Sequence, residues 1–104
     1  MKTYKGVPER TDQGGFKVFV DDRPLSPIPS QELANHSPDG FNWGYGGSGP
    51  AQLALAILLD ATGDKELALR KYQNFKWDVI ANLTMGAPFQ LTEAEINEWL
   101  EKQN

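Results

Sequence analysis

The sequence predicts an α+β fold: a small antiparallel β-hairpin sheet packed on a helical hairpin, with a third short C-terminal helix. Three observations predict it. Residues 51–61 are apolar with almost no polar stripe, the pattern of a helix packed by neighbours on every side. Near the N-terminus, Phe16, Val18 and Val20 alternate with Lys17, Phe19 and Asp21, the period of a half-buried strand. A second, amphipathic helical pattern starts directly after Gly63-Asp64, so the two helices fold back on one another.

A length of 104 residues fits a single domain. It divides into a sheet region over about 1–25, a Pro-rich and Gly-rich strap over about 26–49, and a helical region over about 50–104. The net charge is −4, and no Lys/Arg cluster forms a phosphate-binding footprint, so duplex nucleic acid is not an expected partner. There is no cysteine, which excludes disulfides, thiol catalysis and the usual zinc cages. The apolar run falls short of the roughly 20 residues a membrane span needs. The opening MKTYKGVPER lacks an apolar signal core, so a cytoplasmic protein is expected.

Taken in order, residues 2–8 and 15–21 read as the hairpin, joined by a polar loop containing Gly14-Gly15. Arg23-Pro24-Leu25 suits a short edge segment, since proline is excluded from a central strand. Pro24, Pro27, Pro29 and Pro38 make residues 24–38 an extended surface strap rather than a helix. For the buried helix, Ser48 or Gly49 is the expected cap, Pro50 the first helical residue and Gly63 the left-handed stop. The amphipathic helix runs from about Asp64, its N-cap, to Leu83, with Ala68, Leu69, Tyr72, Phe75, Val79, Ile80 and Leu83 on one stripe. Lys76 projects from inside that stripe and Trp77 from its polar flank. After Met85-Gly86-Ala87-Pro88, Thr92 and Glu95 form a capping box and Leu91 with Ile96 a hydrophobic staple at the start of the last helix. Glu93, Glu95, Glu98 and Glu101 read as a solvated face.

The loop Gly44-Tyr45-Gly46-Gly47-Ser48-Gly49 matches the dinucleotide fingerprint G-x-G-x-x-G letter for letter. That motif requires a strand before it and a parallel strand after it. Phe41-Asn42-Trp43 is a poor strand, and a helix follows instead. The loop also matches the start of a P-loop, but Pro50 and Ala51 stand where the lysine and the hydroxyl belong. Neither nucleotide motif survives, and no cofactor is implied.

Helix-hairpin register sets Lys76 level with Ala51, at the start of the buried helix. A helix N-terminus attracts anions, so Gly46, Gly47, Ser48, Gly49 and Lys76 could converge on a small anion or nucleotide, walled by Trp43, Tyr45 and Trp77. Against this, Lys76 could simply snorkel, and the glycines could serve only to let the loop cross the helices at positive φ. His36, the single histidine, stands beside Ser37-Pro38-Asp39. Loop fixation by hydrogen bonding is its expected role, ahead of catalysis with Ser37 or Asp39, and the ligands for a metal site are too few.

The run from Asn35 to Ala56, NHSPDGFNWGYGGSGPAQLALA, resembles the signature of a family of uncharacterised small bacterial, archaeal and phage proteins, a domain of unknown function. The likeness extends to Lys2-Thr3-Tyr4-Lys5-Gly6-Val7, to Tyr72-Gln73-Asn74-Phe75-Lys76-Trp77 and to Leu91-Thr92-Glu93. The resemblance implies a free-standing small protein of mobile-element origin and brings no activity with it. The expected function is therefore a small cytosolic binding or interaction protein, not an enzyme. Its expected surface comprises His36, Trp43, Tyr45, Gly46, Gly47, Ser48, Gly49, Lys76 and Trp77. The expected partner is an unknown protein or a small anion, with self-association left open. The alternatives are an anion or nucleotide binder and, behind it, an enzyme using His36.

Overall fold

The computed structural model describes residues 1–103. Among them, strands β1 (Thr3–Arg10), β2 (Phe16–Val20), β3 (Arg23–Pro24) and β4 (Phe89–Thr92) form one antiparallel sheet in the order β3-β2-β1-β4. The helices are α1 (Ile28–Leu33), α2 (Ser48–Thr62), α3 (Lys65–Phe75) and α4 (Glu93–Glu101), with a π-helical segment, Lys76–Ile80, extending α3. The α+β class holds.

The hairpin pairs Tyr4 with Val20 and Gly6 with Val18. This register sends Tyr4, Val18 and Val20 into the core and leaves Lys5 outside, as the two-residue period requires. β3 is a two-residue edge containing Pro24, where a missing N–H costs nothing. The fourth strand is a departure from the expected helical C-terminal half. Phe89 and Leu91 point inward while Gln90 faces out, and Tyr4 pairs with Leu91. Four residues are too short for alternation to stand out in a sequence. The strand passes into α4 without a loop, because Thr92 is both its last residue and the helix N-cap, with the full capping box to Glu95.

The strap is also not wholly extended: α1 lies within it. Prolines lack the N–H that a first helical turn leaves unpaired, so Pro29 fits the second position of this helix rather than blocking it. Ser30 Oγ donates to the Pro27 carbonyl at 2.7 Å. α1 is fastened to α2 by Gln52, a fully buried amide. Gln52 Nε2 donates to Ser30 Oγ (2.9 Å) and the Ala34 carbonyl (3.1 Å), and Oε1 accepts the His36 (2.8 Å) and Ser37 (3.0 Å) amides. All four of its hydrogen-bonding positions are used.

α2 is buried from Pro50 to Leu58, packed by α1, α3, the π-helical segment and α4. Its N-cap is Gly47, so Ser48 and Gly49 lie inside the first turn and Pro50 takes the third helical position; Gly63 closes it at φ 65°. Asp64 caps α3 by accepting the Leu67 amide. The α-helical hydrogen bonding of α3 stops at Phe75, eight residues before the expected end, and Ala81 N–H reaches back five residues to the Lys76 carbonyl at 2.7 Å. Ala68, Tyr72, Phe75 and Ile80 are buried, but Leu69 is exposed; the face that α2 covers is narrower than the apolar stripe.

Candidate functional site

The π-helical segment carries Lys76 and Trp77, and the glycine loop lies across it. Two anchors place the loop. Trp43 is wholly buried; its Nε1 donates to the Ala87 carbonyl at 2.8 Å, and its ring packs edge-on against Phe89, with centroids 4.7 Å apart. The next amide, Gly44 N–H, donates to the Ile80 carbonyl at 3.0 Å. Trp43 is therefore a core residue and not the accessible wall expected of it, because its ring fills the space between sheet and loop.

Two glycines allow so close a crossing. Gly44 has φ +87°, and a Cβ there would overlap the Met85 backbone; a Cβ on Gly46 would overlap the Trp77 ring. Within the run Gly44 to Gly49, positive φ is confined to Gly44, so close approach, more than backbone handedness, accounts for the rest. Tyr45 folds back over Gly47. The loop is thus ringed by three exposed apolar side chains, Tyr45 (39%), Trp77 (58%) and Met85 (63%). Met85 had no signal in the sequence; it reaches the loop only through the tertiary crossing.

Lys76 is 8% exposed, and its Nζ lies 4.3 Å from the centre of the Trp77 ring. Its methylenes run through the core, as in a snorkelling lysine. The acid next in the chain but one, Asp78, accepts from Trp99 Nε1 at 3.0 Å.

The start of α2 faces a separate, polar cavity of about 430 Å³ lined by Arg10, Ser37, Asp39, Asn42, Tyr45 and Ser48, among others. Lys76 is not among its lining residues. The cation there is Arg10, which donates to the Gly14 carbonyl at 2.8 Å and stacks on Phe16. Asp39 opposes its charge across the same cavity. Arg10 ends β1, far away in sequence, so helix-hairpin register could not find it. His36 Nε2 lies 2.6 Å from Tyr72 Oη, so its ring partner is neither Ser37 nor Asp39. Among the described residues, no group of three or more His, Cys, Asp or Glu side chains could hold a metal ion, and no helix is long and apolar enough to cross a membrane.

These features define a class: a sheet backed by a helical hairpin, with an aromatic-ringed glycine loop laid over a π-helical turn. Residues 4–102 match the family described as "Family of unknown function (DUF6166)". The chain belongs to that family. No curated protein and no solved structure matches it.

Proposed function

We propose that this chain is a small cytosolic binding protein, not an enzyme, whose working surface is the glycine loop with Tyr45, Trp77 and Met85. One observation carries the reading: three large exposed apolar residues, Tyr45, Trp77 and Met85, border the four residues Gly44 to Gly47. Scattered apolar residues need no explanation, but three bordering one short loop favour an interaction site. Tyr, Trp and Met are also the side chains enriched at protein interfaces. A rigid support favours binding further, because a loop held by Trp43 and Ile80 loses little freedom when covered. The occupied His36 ring supports binding over catalysis.

A photo-crosslinking amino acid placed at Tyr45, and separately at the exposed Leu69, tests this in cells of the source. Discrete adducts are expected from position 45, lost when Trp77→Ala and Met85→Ser are added. Identical adduct patterns from positions 45 and 69 would sink the reading.

A further inference from the structure

Lys76 holds a cation that meets only an aromatic face within the described residues. Among the described residues its Nζ has no hydrogen bond or ion pair, and its neighbour is the Trp77 ring. Every side-chain nitrogen or oxygen closed off from solvent has a partner among those residues; an unpartnered Nζ therefore reaches the surface. What little of Lys76 is exposed includes its charge, set at the foot of the exposed indole. Asp78, the acid nearest to Lys76 in the chain, accepts from Trp99 Nε1.

Resting on the binding surface argued above, we propose that the patch takes a segment of a partner protein in which a carboxylate is flanked by apolar side chains. The carboxylate pairs with Lys76 Nζ, and its neighbours cover Trp77, Tyr45 and Met85. Charge complementarity selects this occupant. An uncompensated ammonium within an apolar rim attracts an anion more strongly once the rim is covered and water is displaced. A second copy of this chain would bring another net charge of −4 against the first, which opposes association. Small ligands take concave sites, and the polar cavity at the start of α2 shares only Tyr45 with this patch.

The test is selection of random phage-displayed peptides on the intact protein, with synthetic versions of the selected peptides then measured by calorimetry. Selected peptides should share Asp or Glu between apolar residues and lose binding to Trp77→Ala. Replacing their acid by Asn or Gln should weaken binding at least about tenfold to the native protein and leave binding to Lys76→Met unchanged. Lys76→Arg should retain the preference for the acid. Peptides that depend on Trp77 but carry no acid, and bind Lys76→Met equally, would overturn the inference and leave the binding surface standing. Absence of any peptide that depends on Trp77 would overturn both. A saturable, Lys76-dependent change in tryptophan emission with inorganic phosphate would replace the peptide by a small anion. Concentration-dependent dimers abolished by Trp77→Ala would replace it by a second copy.

Discussion

Gly46 packs against the six-membered ring of Trp77, so close that a single added methyl group would overlap it. The contact joins residues 31 positions apart in the chain, one in a loop and one in a helical turn, and it restricts the pose of the exposed aromatic. Gly46→Ala should displace Trp77 or the loop, costing about 1–3 kcal/mol. Urea unfolding should show the loss, and tryptophan emission of the folded variant should shift. An unchanged midpoint and spectrum would mean that the loop yields freely.

Lys76→Met should leave stability unchanged or raise it. Methionine keeps an apolar stem of similar length, and the ammonium makes no hydrogen bond or ion pair among the described residues, so that only its contact with the exposed Trp77 ring is lost. Thermal melts of the two proteins give the answer directly. A fall of several degrees would show that the charge holds the fold together, contrary to its proposed role in binding.

Gln52→Met keeps the volume of this buried side chain but abandons the groups it satisfies at Ser30, Ala34, His36 and Ser37. Each buried group left unpaired costs about 1–3 kcal/mol, so a loss of at least about 3 kcal/mol is expected. Amide exchange should lose protection at His36 and Ser37 before the sheet is affected. Uniform loss of protection over the whole chain would contradict the assignment of Gln52 as a local fastening.

Tyr4 donates to Asp60 Oδ2 at 2.7 Å, and Lys2 Nζ reaches the same carboxylate oxygen at 3.3 Å. Burial, then the hydrogen bond and charge of Asp60, push the Tyr4 phenol well above its ordinary value. The sign follows from the unfolded chain, where the phenol ionises near pH 10 while the folded protein keeps its proton. Stability from Tyr4 is therefore complete below about pH 10 and is lost progressively above it. Unfolding midpoints measured from pH 8 to 11.5 should fall at the alkaline end, and Tyr4→Phe should flatten that fall. An equal alkaline slope in the variant would assign the effect elsewhere.

Thr92→Ala removes one half of the reciprocal pair at the junction of β4 and α4: Thr92 Oγ1 no longer accepts the Glu95 amide (3.2 Å), while the backbone amide at position 92 can still donate to Glu95 Oε1 (3.0 Å). A loss of about 1 kcal/mol is expected. The C-terminal helix should fray first, read as faster exchange of the Glu95 and Ile96 amides.

Local patterns were enough for much of this architecture. Alternation at Phe16, Val18 and Val20, the unbroken apolar run after Pro50, and the punctuation at Gly63-Asp64 and Thr92-Glu95 each act within a few residues. Short-range sterics and hydrogen bonding decide such features wherever they occur. Elements whose stability comes from distant partners were not legible. β4 exists because Phe89 and Leu91 find β1, 83 residues or more away in the chain, and α1 because Gln52 fastens it. The π-helical turn is only five residues long and leaves the period of the apolar stripe almost untouched.

The same division runs through the candidate site. Lys76 and Trp77 break the pattern of the helix around them and Tyr45 stands within the glycine run, so they could be named from the chain. Whether an aromatic is wall or core depends on what covers it. Trp43 and Trp77 look alike in sequence, yet one is sealed between sheet and loop and the other stands 58% exposed. Met85 and Arg10 owe their places beside the loop and the polar cavity to chain crossings that no local rule encodes. Burial and charge partnership are properties of the packed molecule, because they depend on contacts between segments that meet only when it folds.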